Sequence, residues 1–449
     1  MSRSRGHALP LYPGRDPAAA PARDSRLSSG PTRRAVVFTK MAVLYVTAPI
    51  REIPLLGLSW SAPLFYLAVL ELWLSPGRRA RGWSRPWGRL LAALWLGAVA
   101  SMAVSVLFSK LPGFGLTRQV YFLILLIYWI TVFLTIAYLV GTADLGSNLA
   151  LVMGAGVSVL ALLTVVESLV GAPRSVSHLT QNGLGIQLST FGPFLFYPAL
   201  TGSGRRRFLG RVGLVLVLLA AALNASRGSW IALALALVLF FGGSWKAGFR
   251  LRGMGLVLIL ALAIPVGLVA LPRGATEYMV YRSSSFERLE TDKSTQARLA
   301  LVRKGWRIFT DNVFFGIGPL GFRHYQVYDV ELPRAVSYLS NRRFNRMSPH
   351  NAYMQALAEG GLAFCIPLFL LLALLTWRGW RASVALARHG QPWALAGFVA
   401  FVSMSAHLWV LAGLYSTSCW VVYGFLAGAI IRAGGRKAGR RRPRQMWGR

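Results

Sequence analysis

The sequence predicts an all-α polytopic membrane protein of about twelve transmembrane helices, and three observations carry that prediction. Of 449 residues, 55% are hydrophobic and 14% charged, too few polar groups to clothe a soluble chain of this length. Apolar runs of roughly 20 residues, the length that crosses a bilayer core, recur along the chain. The basic residues, which bring the formal net charge to +35, gather in short clusters between those runs, as membrane topology requires, and not in a stripe that would track nucleic acid. No nucleic-acid partner is expected.

Residues 1–34, rich in Arg, Pro, Ser and Ala and without an apolar core, read as a disordered basic cytoplasmic tail, leaving the first span to act as the insertion signal. Nine spans follow within 35–271, at about 35–50, 53–75, 88–108, 119–140, 148–170, 183–200, 211–224, 228–242 and 253–271. The seventh and eighth are separated because the run from Val212 to Phe241 is too long for one span and is interrupted by "NASRGSW", which predicts two short helices meeting at 226–228. Residues 272–350 form one long outer loop, 351–432 hold three more spans at about 352–376, 393–413 and 417–432, and 433–449 form a second basic cytoplasmic tail. With the N-terminus inside, "PGRRARGWSRPWGR", "TGSGRRRFLGR", "WKAGFRLR", "WRGWRASVALARHG" and the C-terminal tail all fall on the cytoplasmic side. Cys365 and Cys419 lie in apolar segments without metal-ligand spacing, so neither a zinc site nor a disulfide framework is implied.

Within the outer loop, "STQARLALVRKGWRIFTDN" carries Leu299, Val302, Trp306 and Phe309 at helical spacing among Arg303, Lys304 and Arg307, an amphipathic helix expected on the outer face of the bundle. The "GIGPLGF" that follows is a Gly and Pro bend.

This topology brings Arg227, Arg298 and His350 to the outer boundary. Arg227 sits in a break between spans, where an arginine is costly without a partner, and no acidic residue lies in either flanking span, so an anionic ligand would serve as its counter-ion. His350 follows Ser348 and Pro349, a suitable N-cap and first helical residue, which places it in a first turn whose dipole keeps imidazole neutral. Helical geometry turns Glu359 away from His350 and puts Tyr353 and Leu357 on its face. Plainer readings stand beside these: an interfacial histidine, a snorkelling Arg227 and a solvated Arg298.

The segments "SRGSW" at 226–230, "STQARLALVRKGWRIFTDNVFFGIGPLGF" at 294–322 and "HNAYMQALAEGGLAF" at 350–364, in that order and on one side, resemble the O-antigen ligase and polymerase superfamily of bacterial membrane glycosyltransferases. The resemblance implies a GT-C-like fold in the bacterial inner membrane, with 272–350 as a periplasmic loop. It also implies metal-independent transfer of a glycan from an undecaprenyl-diphosphate donor, with no cofactor. Carried over by position, His350 is the family's essential histidine and Arg227 and Arg298 its arginines, which the chemistry casts as general base and catalytic cations; Ser226, Asn351, Tyr353 and Arg303 are expected to bind substrate. The loop 272–350 holds thirteen Lys and Arg against seven Asp and Glu, a surplus suited to a phosphorylated lipid A core acceptor, so ligase is favoured over polymerase. A transporter is the alternative from another class, but its polar residues would be spread through the midplane.

Overall fold

The computed structural model describes residues 33–47, 61–74, 86–107, 116–142, 145–170, 180–224, 226–248, 292–328, 340–413 and 416–440, all within one unit, Pro31–Arg449. Every regular element among them is helical. The membrane helices before the loop are α1 (Arg33–Thr47), α2 (Ser61–Leu74), α3 (Pro86–Leu107), α4 (Leu116–Thr142), α5 (Gly146–Leu169), α6 (Gln181–Phe191), α7 (Phe196–Thr201), α8 (Gly204–Asn224) and α9 (Arg227–Ala247). The loop contributes α10 (Lys293–Asp311) and the short α11 (Asn341–Asn345), and α12 (Ala352–Arg388), α13 (Trp393–His407) and α14 (Thr417–Arg440) complete the bundle. Among the described residues, seven helices are long and apolar enough to cross a membrane, and the chain is a multi-pass membrane protein. The span expected at 253–271, residues 1–32 of the first tail and the end of the second lie outside the described residues.

Small residues set the packing, as they do where lipid leaves no hydrophobic drive between helices. Gly424 and Gly428 of α14 lie against α4, where added Cβ atoms would come within 2.6 Å of the Phe133 carbonyl oxygen and 2.8 Å of that of Ala137. These two helices therefore run parallel. By contrast α3 runs antiparallel to α12, since Trp87 stacks on Arg378, Gly97 faces Pro367 and Ser105 donates to the Glu359 carbonyl. Likewise α13 is antiparallel to α9, with Gly228 beside His407, Ser403 donating to Ala232 and Gly243 against Leu395. One end of the bundle thus gathers residues 224–228, 359 and 407, and the far end gathers 87, 243, 378 and 395. Buried aromatics fill the centre, among them Trp95 and Trp420 with ring centroids 4.0 Å apart.

Three expectations are corrected. The helices meeting at 226–228 are not short: α8 and α9 each have 21 residues, because the basic "GRRRFLGR" segment is already helical. The break missed by the sequence reading lies in the sixth span, where Gly192–Leu195 form a 3-10 turn between α6 and α7 around Pro193. The loop helix α10 forms, but it packs through Ala297, Ala300, Leu301, Lys304, Gly305 and Ile308, while Leu299 and Trp306 of the expected face are about half exposed. The small residues win that face because only they allow α10 to approach α12 closely; a Cβ on Gly305 would sit 2.4 Å from Met354.

The most unusual backbone lies in α12. Gly361 (φ 60, ψ −165) breaks the helix in a region essentially reserved for glycine. The chain segment 313–318 enters this break and pairs with the freed groups: Ile317 N–H donates to the Ala358 carbonyl (3.1 Å), Gly318 N–H to Glu359 (2.9 Å), Leu362 N–H to Val313 (2.8 Å) and Ala363 N–H to Phe314 (3.0 Å). The "GIGP" bend is therefore a main-chain insert into a broken helix, which satisfies backbone that lipid would leave unpaired.

Candidate active site

The site is built on the turn between α8 and α9. Gln181 Nε2 donates to the Asn224 carbonyl (2.7 Å) and Asn224 Nδ2 donates to the Gln181 carbonyl (2.8 Å), fixing α6 to the turn. Ser226 is buried against Gly185, where a Cβ would come within 2.9 Å of its Oγ. Arg227 thereby opens α9 at the bundle end, and its Nη2 donates to Asp292 Oδ2 at 2.9 Å, with both side chains largely buried. Asp292 also caps α10, accepting from the Thr295 N–H (3.1 Å) and hydroxyl (2.6 Å). Burial works to raise its pKa, but the Thr295 and Arg227 hydrogen bonds and the guanidinium charge outweigh it and hold the carboxyl at about 2. The counter-ion that neither flanking span offers to Arg227 thus comes from the loop. One ion pair joins the start of a membrane helix to the start of the loop helix.

Beyond Asp292, Lys293 and Arg298 of α10 line a cavity of about 510 Å³ together with Asn182, Arg343, Met347 and His350. Among the described residues three cations face this space and no carboxylate lines it. His350 does not lie in a helical first turn. The N-cap of α12 is Asn351, whose side chain accepts from the Met354 N–H, and His350 precedes it with φ 51, a left-handed conformation. That corner is held by the Ala352 N–H donating to the Leu408 carbonyl at 2.9 Å. Burial, then the charges of Arg298 and Arg323, lower the His350 pKa from its ordinary 6.5. The imidazole is therefore neutral at pH 7, through desolvation and neighbouring cations and not through a helix dipole. Its Nδ1 is buried with no hydrogen-bond partner among the described residues.

The remaining expected site residues are placed differently. Asn351 is occupied as a cap, and Tyr353 donates its hydroxyl to the Ser405 carbonyl (2.9 Å) and packs on Trp409, tying α12 to α13. Arg303 is exposed and does not line the cavity; five residues past Arg298, it is rotated by roughly 140° around the helix. Glu359 is buried and accepts from the Phe322 N–H and from Gln355 Nε2, both at 3.1 Å. The sequence reading missed Asp292, Lys293, Arg343 and Asn182. Asp292 was recoverable, since Asp292 and Thr295 form a helix-capping pattern directly ahead of α10, whereas Asn182 carries no local signal.

Behind the cavity wall, Lys304 is fully buried. Its ammonium donates to the carbonyls of Phe322 and Asn345, both at 2.8 Å, and lies 4.8 Å from the Phe322 ring centroid. Burial lowers its pKa to about 7. This lysine thus fastens the 321–323 turn and α11, which carries Arg343, onto the helix that carries Arg298. Among the described residues no three His, Cys, Asp or Glu side chains come together as metal ligands.

Chemically, the cavity offers cations for a phosphorylated group beside a neutral imidazole able to accept a proton. Comparison with the curated proteins finds no match. Residues 212–366, which run from α8 through the loop into the first half of α12, match the family model described as O-Antigen ligase. That segment, about a third of the chain, carries Arg227, Arg298 and His350, and over it the chain is similar to the O-antigen ligase family.

Proposed function

We propose that this protein is an O-antigen ligase, an inverting and metal-independent glycosyltransferase that moves a glycan from undecaprenyl diphosphate to a lipid A core hydroxyl on the periplasmic face of the inner membrane. The observation that carries this reading is the cavity in which Lys293, Arg298 and Arg343 face His350. Arg298 and its neighbouring cations hold the diphosphate and stabilise the negative charge that grows on it as the sugar departs. Arg227, oriented by Asp292 at the start of the same loop helix, completes the cationic side. The acceptor hydroxyl oxygen bonds to the anomeric carbon as the carbon–oxygen bond to the diphosphate breaks. The electron pair leaves with the phosphate, and the hydroxyl proton passes to His350. Attack opposite the leaving group inverts the anomeric centre.

A polymerase would use the same donor side and differ only in its acceptor. The thirteen Lys and Arg of 272–350 against seven Asp and Glu favour a phosphorylated acceptor and hence the ligase. Purified protein supplied with carrier-linked glycan and lipid A core distinguishes them. Glycan on the core is the expected product; lengthened carrier-linked glycan alone would make the protein a polymerase, and no transfer to either acceptor would overturn the glycosyltransferase reading.

A further inference from the structure

At the far end of the bundle, remote from the cavity just described, α3, α12 and α14 enclose a second pocket of about 290 Å³. Its wall is formed by Trp87, Arg378, Arg381, Leu386, His389 and Ile430. The Arg378 guanidinium lies over two indoles, 3.7 Å from the Trp87 ring centroid and 4.2 Å from that of Trp377, and the Arg381 guanidinium lies 4.9 Å from the Trp377 centroid. Stacking fixes the plane of Arg378 and leaves its edge for hydrogen bonding. Yet its Nε is buried and has no hydrogen-bond partner among the described residues. Among the described residues no carboxylate lines the pocket to neutralise Arg378 or Arg381. The arrangement differs from that of Arg388 nearby, which is already committed to the Lys246 carbonyl through Nε (3.2 Å) and Nη2 (2.9 Å).

The position along α12 identifies the solvent level. From the break at Gly361 to Arg378 the helix advances seventeen residues, about 25 Å at 1.5 Å per residue, close to the thickness of a hydrocarbon core. Trp377, Trp380 and Trp87 therefore stand at the headgroup level, where indoles collect, with the two arginines among them. The pocket combines the charges of Arg378 and Arg381 and the imidazole of His389 with apolar walls from Leu386 and Ile430, the mixture of groups that a phosphate carried on glycerol and acyl chains would meet. We propose that this pocket binds the headgroup of an anionic phospholipid from the leaflet at that end of the bundle, with Arg378 as the principal phosphate ligand and Arg381 as the second. Basic pockets between membrane helices recognise such headgroups by this chemistry. The inference does not depend on the function proposed for the other end.

Native mass spectrometry of the full-length protein in detergent, titrated with phosphatidylglycerol or phosphatidylcholine, tests it. The parent is expected to bind phosphatidylglycerol at least about tenfold more tightly than phosphatidylcholine, a gap of about 1.4 kcal/mol. Arg378→Gln should abolish that preference, and so should Ala385→Phe, which fills the pocket without altering charge. Arg388→Gln, which removes a charge at the same end but outside the pocket, should retain it. Equal binding of the two lipids by the parent, an undiminished preference in Arg378→Gln or Ala385→Phe, or an equal loss in Arg388→Gln would each overturn the proposal. Displacement of phosphatidylglycerol by millimolar inorganic phosphate would overturn the lipid assignment in favour of a free-anion site.

Discussion

His350 and its neighbours show how one residue acquires a role from its surroundings. With His350 as the base, His350→Ala should bind carrier-linked donor nearly as well as the parent but transfer glycan at least about a hundredfold more slowly. Loss of donor binding with normal transfer of bound donor would make it a binding residue. The pH dependence carries a sign. Catalysis needs the neutral ring, and because burial, Arg298 and Arg323 lower the His350 pKa, the acidic limb of the rate profile should fall below 6.5. Removing one of those charges in Arg298→Gln should move the limb upward, beside its effect on donor binding; a limb that stays in place would detach His350 from the profile. Arg227 is tested by its partner as well as by itself. Arg227→Lys can keep an ion pair with Asp292 but loses the planar fork, so transfer should fall sharply while the protein remains folded. Asp292→Asn should cost about 1.5–3 kcal/mol of stability, the range for a hydrogen bond to a charged group, measured by denaturant unfolding. Because the Asp292 pKa is depressed to about 2, that contribution is present above the ordinary carboxylate range and is lost as pH falls through about 2. The sequence made Arg227 and His350 conspicuous, since polar residues at span boundaries stand out against apolar runs. It did not reveal Asp292 as the partner, because the pairing spans 65 residues of chain and depends on where the loop helix docks.

At the scale of elements, the loop and the long helix α12 depend on each other. Gly361→Ala places a Cβ 2.5 Å from the Phe314 carbonyl and forces a side chain into a glycine-only conformation. The strain alone is about 1–3 kcal/mol. Thermal unfolding of Gly361→Ala should show a marked loss, whereas Gly242→Ala, with open space around it in α9, should not. Lys304 supplies a second element-scale test. Its pKa in the folded protein is about 7 against an ordinary 10.5, so between those values the unfolded chain binds more protons and stability should rise with pH, by at most about 1.4 kcal/mol per pH unit. Protection factors in 321–328 and 340–345, each referred to the intrinsic exchange rate at the same pH, should rise over that window, and Lys304→Met should remove the dependence. Helical periodicity was enough to find α10, but not its buried face. The large apolar residues suggested one side, and the choice was made instead by Gly305 and the alanines, whose value lies in what they let approach. The kink in the sixth span at Gly192 and Pro193 was legible in principle, hidden by treating 183–200 as one apolar run.

For the molecule as a whole, the alternation of spans is a property that composition nearly dictates. The relative senses of α3, α4, α9, α12, α13 and α14 place the 204–211 segment, Lys246 and Arg388 at the end opposite the cavity. If the short basic clusters mark the cytoplasm, a cysteine at Thr310, exposed on α10, should be labelled from outside intact cells, and one at Ser203 should not. The reverse pattern would move the cavity to the cytoplasmic face and remove the proposed donor from its reach. What the sequence left hidden is the joint between loop and membrane domain, because much of that joint is made of peptide groups. Its hydrogen bonds join Val313, Phe314, Ile317 and Gly318 to Ala358, Glu359, Leu362 and Ala363 through main-chain atoms alone. Main-chain bonds are indifferent to side-chain identity, so this part of the attachment tolerates changes in the exposed side chains of the loop. Under the proposed glycosyl transfer, such a seam would let one loop frame be fitted to different sugars, with the glycines as its few fixed letters.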